Sequence, residues 1–193
     1  LDVATDSSGN IYVMEYYNNR IKVFDSSGAY LRSFGGYGNA CYQWQYARQF
    51  TIYNDVVYIA DTYGRKVKSL TLTGQCKDIW FTGQYPHAIA ANSNYVFVGH
   101  PSNNISILDH RLNQRTTRSI NSNYLSYSWG MSINPAGNRL AIADYNKNHV
   151  VEFSISGDWL AYTQKTSSTY SSGNGYFQRP TDTGYDSSGN IYV

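Results

Sequence analysis

The sequence predicts an all-β protein in which a four-stranded sheet is repeated, the arrangement of a β-propeller. Two observations carry this prediction: short apolar strands recur after turns, and helix-forming stretches are sparse. The recurring strands begin at Ile11, Val57, Val96, Leu140 and Ile191, at intervals of 46, 39, 44 and 51 residues. A period of about 40–50 residues filled with short strands is typical of propeller blades. A β-sandwich with accidental periodicity is the alternative interpretation.

The first repeat shows how each element is predicted. An inner strand over 1–5 leads into an Asp-Ser-Ser-Gly-Asn turn at 6–10, whose residues tolerate the left-handed backbone of tight hairpins. A second strand starts at Ile11, a third lies in 18–24 and a fourth in 29–34. The octapeptide DSSGNIYV at 6–13 returns at 186–193, which predicts that another repeat begins there. Each repeat is therefore an antiparallel meander of four strands.

These repeats predict four complete blades and the first two strands of a fifth, within a single β-propeller over 1–193. The predicted blades span about 1–36, 47–83, 86–120, 129–164 and 180–193. The chain opens within the pattern and closes on a half blade, so we expect it to be a segment of a larger ring. The alternative is that the last two strands complete a ring, but the first repeat already has its own first two strands.

The composition narrows the classes of function. Charged residues make up 15% of the chain and the net charge is +2, too little to indicate a nucleic-acid partner. The chain has 20 tyrosines, and a polar but uncharged composition is more usual outside cells. No apolar run approaches the roughly 18 residues needed to cross a bilayer. We therefore expect an extracellular or cell-surface protein that does not insert into membranes.

The residues 6–35 resemble the NHL-repeat family, with an acidic residue after the second strand and a basic residue five positions later. The same positions hold an acidic and a basic residue in three repeats. These are Glu15 with Arg20, Asp61 with Lys66, and Asp144 with His149. The third repeat departs from the pattern, since His100 and Asn104 stand there. The resemblance implies a propeller, usually of six blades.

We expect these acidic and basic pairs to be structural. A carboxylate at the end of the second strand can accept backbone N–H groups of the following turn, or can pair with the basic residue.

The loops between second and third strands lie at the same sheet edge as the connections between blades. Tyrosine and tryptophan are frequent in both, and several of them, such as Trp44 and Phe177, are expected to pack between blades. The remaining rings offer rigid contact area with a polar tip. We expect this edge to bind a protein or glycan partner. The predicted binding residues are Tyr16, Tyr17, Asn18, Tyr63, Arg65, His100, Tyr145 and Lys147. Open blade edges are a second route to association, through self-assembly.

Two other functions are alternatives to protein or glycan binding. Related propellers include lactonase-like and lyase-like enzymes with a metal in the central channel, and the polar inner-strand candidates here are Asp2, His87 and Asp182. They do not form the three or four convergent ligands that zinc requires, so we expect no catalytic residue, metal or cofactor. Some NHL propellers bind single-stranded RNA, but the basic residues here are scattered and would bind it weakly.

Two further features concern covalent chemistry. Cys41 follows the first blade and Cys76 begins the outer strand of the second. These points lie at opposite edges of a meander, roughly 17–20 Å apart, so we predict no disulfide between them unless the linker folds over the rim. Either cysteine could instead pair with another segment or another chain. Asn104-Ile105-Ser106 is a glycosylation sequon, and Asn104 is the candidate acceptor.

Overall fold

The structure is a computed structural model that describes residues 2–165 and 176–193. These residues form strands and turns and no helix, as the sequence predicts. Asn104 and all of the predicted partner-binding residues lie within the described residues. Among these described residues, no helix has the length and apolar character needed to cross a membrane.

Four four-stranded sheets and one two-stranded sheet make up the described part of the chain, and each four-stranded sheet keeps its strands in chain order. Sheet 1 contains β1 (Asp2–Thr5), β2 (Ile11–Glu15), β3 (Arg20–Phe24) and β4 (Tyr30–Gly35). Sheet 2 contains β5 (Gln49–Tyr53), β6 (Val56–Asp61), β7 (Lys66–Thr71) and β8 (Cys76–Phe81). Sheet 3 contains β9 (Ala88–Ala91), β10 (Val96–Gly99), β11 (Asn104–Leu108) and β12 (Gln114–Ser119).

Sheet 4 contains β13 (Ser128–Ile133), β14 (Arg139–Asp144), β15 (His149–Ser156) and β16 (Trp159–Lys165). The two-stranded sheet 5 pairs β17 (Gly184–Tyr185) with β18 (Ile191–Tyr192). The predicted fold class, with four four-stranded blades and two strands of a fifth, is confirmed.

The chain divides into two units. Unit 1 comprises Leu1–Ile89 and Arg111–Asn113 and contains sheets 1 and 2. Unit 2 comprises Ala90–His110 and Gln114–Val193 and contains most of sheet 3 together with sheets 4 and 5.

The core of unit 1 lies between sheets 1 and 2. Its buried members are Tyr12, Met14, Ile21, Val23, Trp44, Ala47, Phe50, Val57, Ile59 and Leu70. The inner strands β1 and β5 lie side by side, and Asp2 Oδ2 accepts the backbone N–H of Phe50 at 2.8 Å. Outer strands such as β4 and β8 alternate between exposed and half-buried residues, as the solvent-facing edge of a blade should.

The repeated octapeptide folds in the same way twice. In the first copy Asp6 Oδ1 accepts the backbone N–H groups of Ser8 and Asn10, and Oδ2 accepts the Tyr12 hydroxyl at 3.1 Å. In the second copy Asp186 accepts the equivalent groups from Ser188, Asn190 and Tyr192. The side-chain hydrogen bond from Asn190 is the main reason that the pKa of Asp186 is lowered. The aspartate thus closes each turn as an Asx motif.

The prediction that Cys41 and Cys76 stay unbonded is wrong. They form a disulfide with their Cα atoms 5.5 Å apart. The prediction assumed that the segment between sheets 1 and 2 stays at one edge of the sheets, away from the start of β8 at the other edge. Instead the segment 36–46, here called the first linker, is a folded loop: Trp44 N–H donates to Gly36 O, and Tyr37 bridges to Trp44. This loop carries Cys41 back over sheet 2 to the start of β8.

Candidate functional site

The site is built from the acidic residue that ends the second strand of sheets 1, 2 and 4, namely Glu15, Asp61 and Asp144. In sheet 2, Asp61 Oδ1 accepts the backbone N–H of Gln45 at 2.7 Å and that of Gly64 at 3.2 Å. In sheet 4, Asp144 accepts the backbone N–H of Ser126 at 2.6 Å. The carboxylate therefore ties the preceding linker to its own sheet. A Cβ on Gly64 would lie 2.2 Å from Asp61 Oδ2, so the loop beside the carboxylate has room only for glycine.

The predicted partners Glu15 with Arg20 and Asp144 with His149 lie within ion-pair distance, whereas Asp61 pairs with a different lysine from the predicted one. Glu15 forms an ion pair with Arg20 and contacts Lys22 at 3.2 Å. Asp61 lies opposite Lys66 in the strand register, but its ion pair is with Lys68, at 2.8 Å. Lys66 instead lies 3.4 Å from Asn39 and under the ring of Phe81. Lys66 and Lys68 project from the same face of β7. Lys66 is half-buried and reaches the first linker at Asn39, whereas Lys68 is fully buried beneath it.

Linker carbonyls explain why Lys68 is the buried partner. Its Nζ donates to Ala40 O at 3.2 Å and to Gln43 O, besides contacting Asp61. Burial lowers the pKa of Lys68, and the hydrogen bond with Asp61 opposes that shift. A lysine seven residues after the acidic position occurs in sheet 1 as well, as Lys22, and that spacing was the signal in the sequence that could have identified the pair.

In sheet 3 two uncharged side chains, those of His100 and Ser106, take the place of the Asp61–Lys68 ion pair. His100 takes the acidic position, and its Nε2 lies 2.9 Å from Ser106 Oγ. The prediction that His100 contacts a partner is wrong, because the residue is 1% exposed. Burial lowers its pKa to about 4, so the ring is neutral at physiological pH. Ser106 is also the serine of the Asn104 sequon, and its hydroxyl contacts Thr117 at 3.2 Å inside the sheet.

In sheet 4 the predicted partners Asp144 and His149 lie 3.9 Å apart and are both buried. The His149 Nε2 also lies 2.9 Å from the Tyr124 carbonyl oxygen. Asp144 Oδ1 accepts the backbone N–H groups of Asn146 and Lys147 at 3.1 Å each. The carboxylate therefore organises the loop that carries Tyr145 and Lys147.

In unit 1, the loops between the second and third strands and the linkers that follow sheets 1 and 2 bring six tyrosines into one set of ring contacts, here called the tyrosine cluster. Its members are Tyr16, Tyr17, Tyr37, Tyr46, Tyr63 and Tyr85. Consecutive ring centroids are 5.1–5.9 Å apart, within the range of edge-to-face and tilted aromatic contacts. The predicted residues Tyr16, Tyr17 and Tyr63 are thus brought together, with Tyr17 85% and Tyr63 50% exposed.

Tyr46 is the centre of the tyrosine cluster, since its ring contacts those of Tyr16, Tyr37 and Tyr63. Its backbone has φ 50°, and its N–H donates to the side-chain oxygen of buried Asn19 at 2.5 Å. Asn19 is itself in the left-handed region, at φ 52°, which asparagine tolerates better than most residues. The loop between β2 and β3 thereby fixes the first linker, a contact that the sequence analysis missed.

Two arginines border the tyrosine cluster. The Arg48 guanidinium lies 5.9 Å from the Tyr16 ring, and that of Arg65 lies 4.5 Å from the Tyr85 ring. Arg65 also donates to the Tyr85 hydroxyl at 2.6 Å. The predicted residues Asn18 and Arg65 are exposed. Glu15 and Asp61, the acidic residues at the ends of β2 and β6, are already paired with cations.

Unit 2 has a smaller aromatic group of its own, which includes the predicted residue Tyr145. The Tyr145 and Trp129 rings are stacked with centroids 4.5 Å apart, and Tyr127 stacks on Trp129 at 5.6 Å. The Arg179 guanidinium lies 5.4 Å from the Tyr145 ring, and the backbone N–H of Arg179 donates to Asn148 Oδ1 at 2.9 Å. Tyr145 and Lys147 are half-buried.

The inner-strand candidates for a metal site have structural contacts. Asp2 holds the adjacent inner strand through Phe50, and Asp182 accepts the backbone N–H of Thr183 at 2.8 Å. His87 is buried, at 5% exposure. Across residues 2–165 and 176–193, no three His, Cys, Asp or Glu side chains lie close enough together to hold a metal ion.

Comparison with known proteins agrees with this architecture. Residues 1–24 match the family model of the NHL repeat, over β1, β2 and β3 of sheet 1. No curated protein matches the chain significantly. The match covers the segment in which the sequence resemblance is most specific, and the sheet topology of the other repeats is the same. An NHL-repeat fold indicates a protein-binding or structural module.

Proposed function

We propose that this NHL-repeat protein is a non-catalytic module that binds a protein partner through the tyrosine cluster of unit 1. The observation that carries the proposal is a continuous set of six contacting tyrosine rings on loops and linkers. Tyrosine is enriched at protein interfaces because its ring contributes apolar area at a low entropic cost and its hydroxyl can hydrogen-bond.

Three physical properties support this surface as a binding site. The rings are held in place by the sheets, through Asn19 and Asp61, so little ordering is required on binding. Tyr17, Tyr37 and Tyr63 are each at least half exposed, which leaves apolar area that a partner can bury. The bordering cations Arg48 and Arg65 favour a partner surface that carries carboxylates.

An extracellular location is part of the proposal. The Cys41–Cys76 disulfide supports it, since disulfides persist in oxidising compartments and are rare in the cytosol. The low proportion of charged residues, 15%, agrees with the same location.

The test uses photo-crosslinking from positions inside and outside the tyrosine cluster. A photoreactive phenylalanine analogue replaces Tyr17 or Tyr63 in the full chain, and Tyr30 serves as the matched control. Tyr30 is 58% exposed but lies on the outer strand β4. We expect one protein from the extracellular fraction of the source to be captured at Tyr17 and Tyr63 and not at Tyr30.

The captured protein is then purified and its affinity measured against the wild type and two variants. Substitution of Tyr17 and Tyr63 together by serine is expected to weaken binding at least as much as loss of an interface hot spot, about 2 kcal/mol. Tyr30→Ser should bind like the wild type. Equal capture at all three positions, or binding that survives the double substitution, would contradict the proposal. Capture of a glycan or of a second copy of the chain instead would also contradict it.

The non-catalytic part of the proposal has its own test. Metal analysis of the purified protein, together with lactonase and lyase assays, should give neither stoichiometric metal nor turnover. Stoichiometric metal with activity would replace binding by a propeller-enzyme function.

A further inference from the structure

A groove in unit 2 lies between the outer strand of sheet 3, β12, and the outer strand of sheet 4, β16. Its volume is about 500 Å³, and it opens to solvent. Residues 117–121 line one side of the groove, and residues 159–162 line the other. Sites for small organic ligands have volumes of about 300–1,000 Å³, so the groove has the size of such a site.

The lining of the groove combines accessible aromatic rings with buried apolar side chains. Trp159 is 56% exposed. The Tyr124 and Tyr162 rings are stacked, with centroids 4.1 Å apart and 10° between their planes. Phe153 and Leu160 are buried and complete the apolar part of the lining. A ligand in the groove therefore meets flat, rigid apolar surfaces.

The charge in the groove is compensated. Among the described lining residues Arg118 alone is charged, and its Nε and a terminal nitrogen lie 3.1 Å from the carbonyl oxygen and from Oδ1 of Asp158. The same guanidinium lies 5.0 Å from the centroid of the Trp159 ring, a cation–π contact that holds the ring. Ser119 and Asn121 add neutral polar groups to the lining. A neutral ligand that carries hydroxyl groups therefore matches the groove better than an ion does.

The loop that carries Tyr124 is fixed by its own hydrogen bonds. The Asn121 carbonyl oxygen accepts the backbone N–H groups of Tyr124 at 2.8 Å and Leu125 at 3.2 Å. Oδ1 of Asn121 accepts the backbone N–H of Asn123 at 2.9 Å, and His149 Nε2 lies 2.9 Å from the Tyr124 carbonyl oxygen. Because these contacts hold the loop, a ligand can contact Tyr124 at a low ordering cost.

We propose that this groove is a binding site for short neutral oligosaccharides. A pyranose ring has C–H groups on its flat faces and hydroxyls around its edge, so it presents an apolar surface and hydrogen-bonding groups together. One sugar ring lies on the exposed indole of Trp159, and its hydroxyls exchange hydrogen bonds with Ser119 and Asn121. The site consists of residues of unit 2, so it does not depend on the tyrosine cluster or on its partner.

The test is isothermal titration calorimetry of the full chain with four oligosaccharides of equal length. Cellotetraose, maltotetraose and N-acetylated chitotetraose are neutral, and tetragalacturonate is an anion. We expect at least one of the neutral sugars to bind with a dissociation constant below about 1 mM. Tetragalacturonate should not bind, because Asp158 already compensates the charge of Arg118.

Two substitutions of Trp159 test the ring on which the sugar lies. Trp159→Ala should weaken binding by at least about tenfold, as expected for loss of an aromatic anchor. Trp159→Tyr keeps a flat ring and should retain most of the affinity. An unchanged melting temperature shows that each variant is folded. In the wild type, the indole N–H resonance of Trp159, assigned with the Trp159→Tyr variant, should shift as the sugar is added.

Two control variants separate this groove from other exposed rings. Tyr30→Ala should bind the sugar like the wild type, because Tyr30 is 58% exposed on the outer strand β4 of sheet 1. The double substitution of Tyr17 and Tyr63 by serine should also leave sugar binding unchanged. Failure of this inference is therefore distinguishable from failure of the proposed partner site.

Several results would overturn the inference. They are absence of binding by all three neutral sugars, equal or tighter binding of tetragalacturonate, and an unshifted Trp159 resonance. Wild-type affinity in Trp159→Ala would overturn it as well. So would an equal loss in Tyr30→Ala, since the sugar would then bind to exposed rings in general.

Discussion

Lys68 Nζ lies 2.8 Å from Oδ2 of Asp61, and neither side chain is more than 1% exposed. The same two residues hold the first linker from both sides. Lys68 donates to the carbonyls of Ala40 and Gln43, and Asp61 accepts the N–H of Gln45. This buried pair therefore fixes the segment that delivers Tyr37 and Tyr46 to the tyrosine cluster.

We expect Lys68→Met to destabilise the protein by about 3–5 kcal/mol, because removing one partner leaves the other charge buried and uncompensated. Urea denaturation followed by intrinsic fluorescence measures the change in the free energy of unfolding. Lys66→Met is the matched control, two residues away on the same strand and face. Lys66 is half-buried and its Nζ contacts the Asn39 amide rather than a buried carboxylate, so its change should cost no more than about 1 kcal/mol. Equal losses for both variants would show that the pair does not carry this stability.

How far the sequence could predict this arrangement depends on the range of the interactions. Turn chemistry and strand periodicity are local, so the strands of sheet 1 and both copies of the octapeptide turn could be predicted. The choice of Lys68 over Lys66 depends on a linker that folds back from more than 20 residues away along the chain. The disulfide was missed for the same reason, since the distance between Cys41 and Cys76 is set by the path of that linker.

The candidate site was predicted in part. Tyr16, Tyr17 and Tyr63 could be placed on one edge because a meander returns its second loops to that edge. His100 was assigned to that edge only because of its position in the repeat. In the structure it is buried and contacts Ser106, and the sequence does not reveal that contact. The predicted bounds of the blades, the single propeller over 1–193 and the six-bladed ring remain predictions.

We expect loss of the disulfide to lower stability without changing the strands. Cys41 and Cys76 are separated by 35 residues, and closing a loop of that length is worth about 2–4 kcal/mol in the unfolded-chain entropy model. Replacing both cysteines by serine should therefore lower the urea midpoint, as should reduction of the wild type. The measurement is urea denaturation with and without a reductant. A wild type whose midpoint does not respond to reductant would contradict the expected contribution.

His100 gives a prediction for pH. Burial lowers its folded-state pKa to about 4, from the usual 6.5 of a solvated histidine, so the unfolded chain takes up the proton at higher pH than the folded one. Stability should then fall as the pH drops from about 6.5 toward 4, by up to about 3 kcal/mol from this residue. Denaturation curves across this range should show a shallower pH dependence for His100→Asn than for the wild type. The same slope in both proteins would show that His100 does not titrate in this way.

The most direct test of the central claim is a nuclear Overhauser experiment on the rings of the tyrosine cluster, assigned with single Tyr→Phe variants. The claim is that repeated sheets and a fixed linker bring Tyr16, Tyr46 and Tyr63 into contact. We expect cross-peaks from the Tyr46 ring protons to those of both Tyr16 and Tyr63. Absence of these cross-peaks, in a sample that shows the β2–β3 pairing of Glu15 with Arg20, would contradict the account.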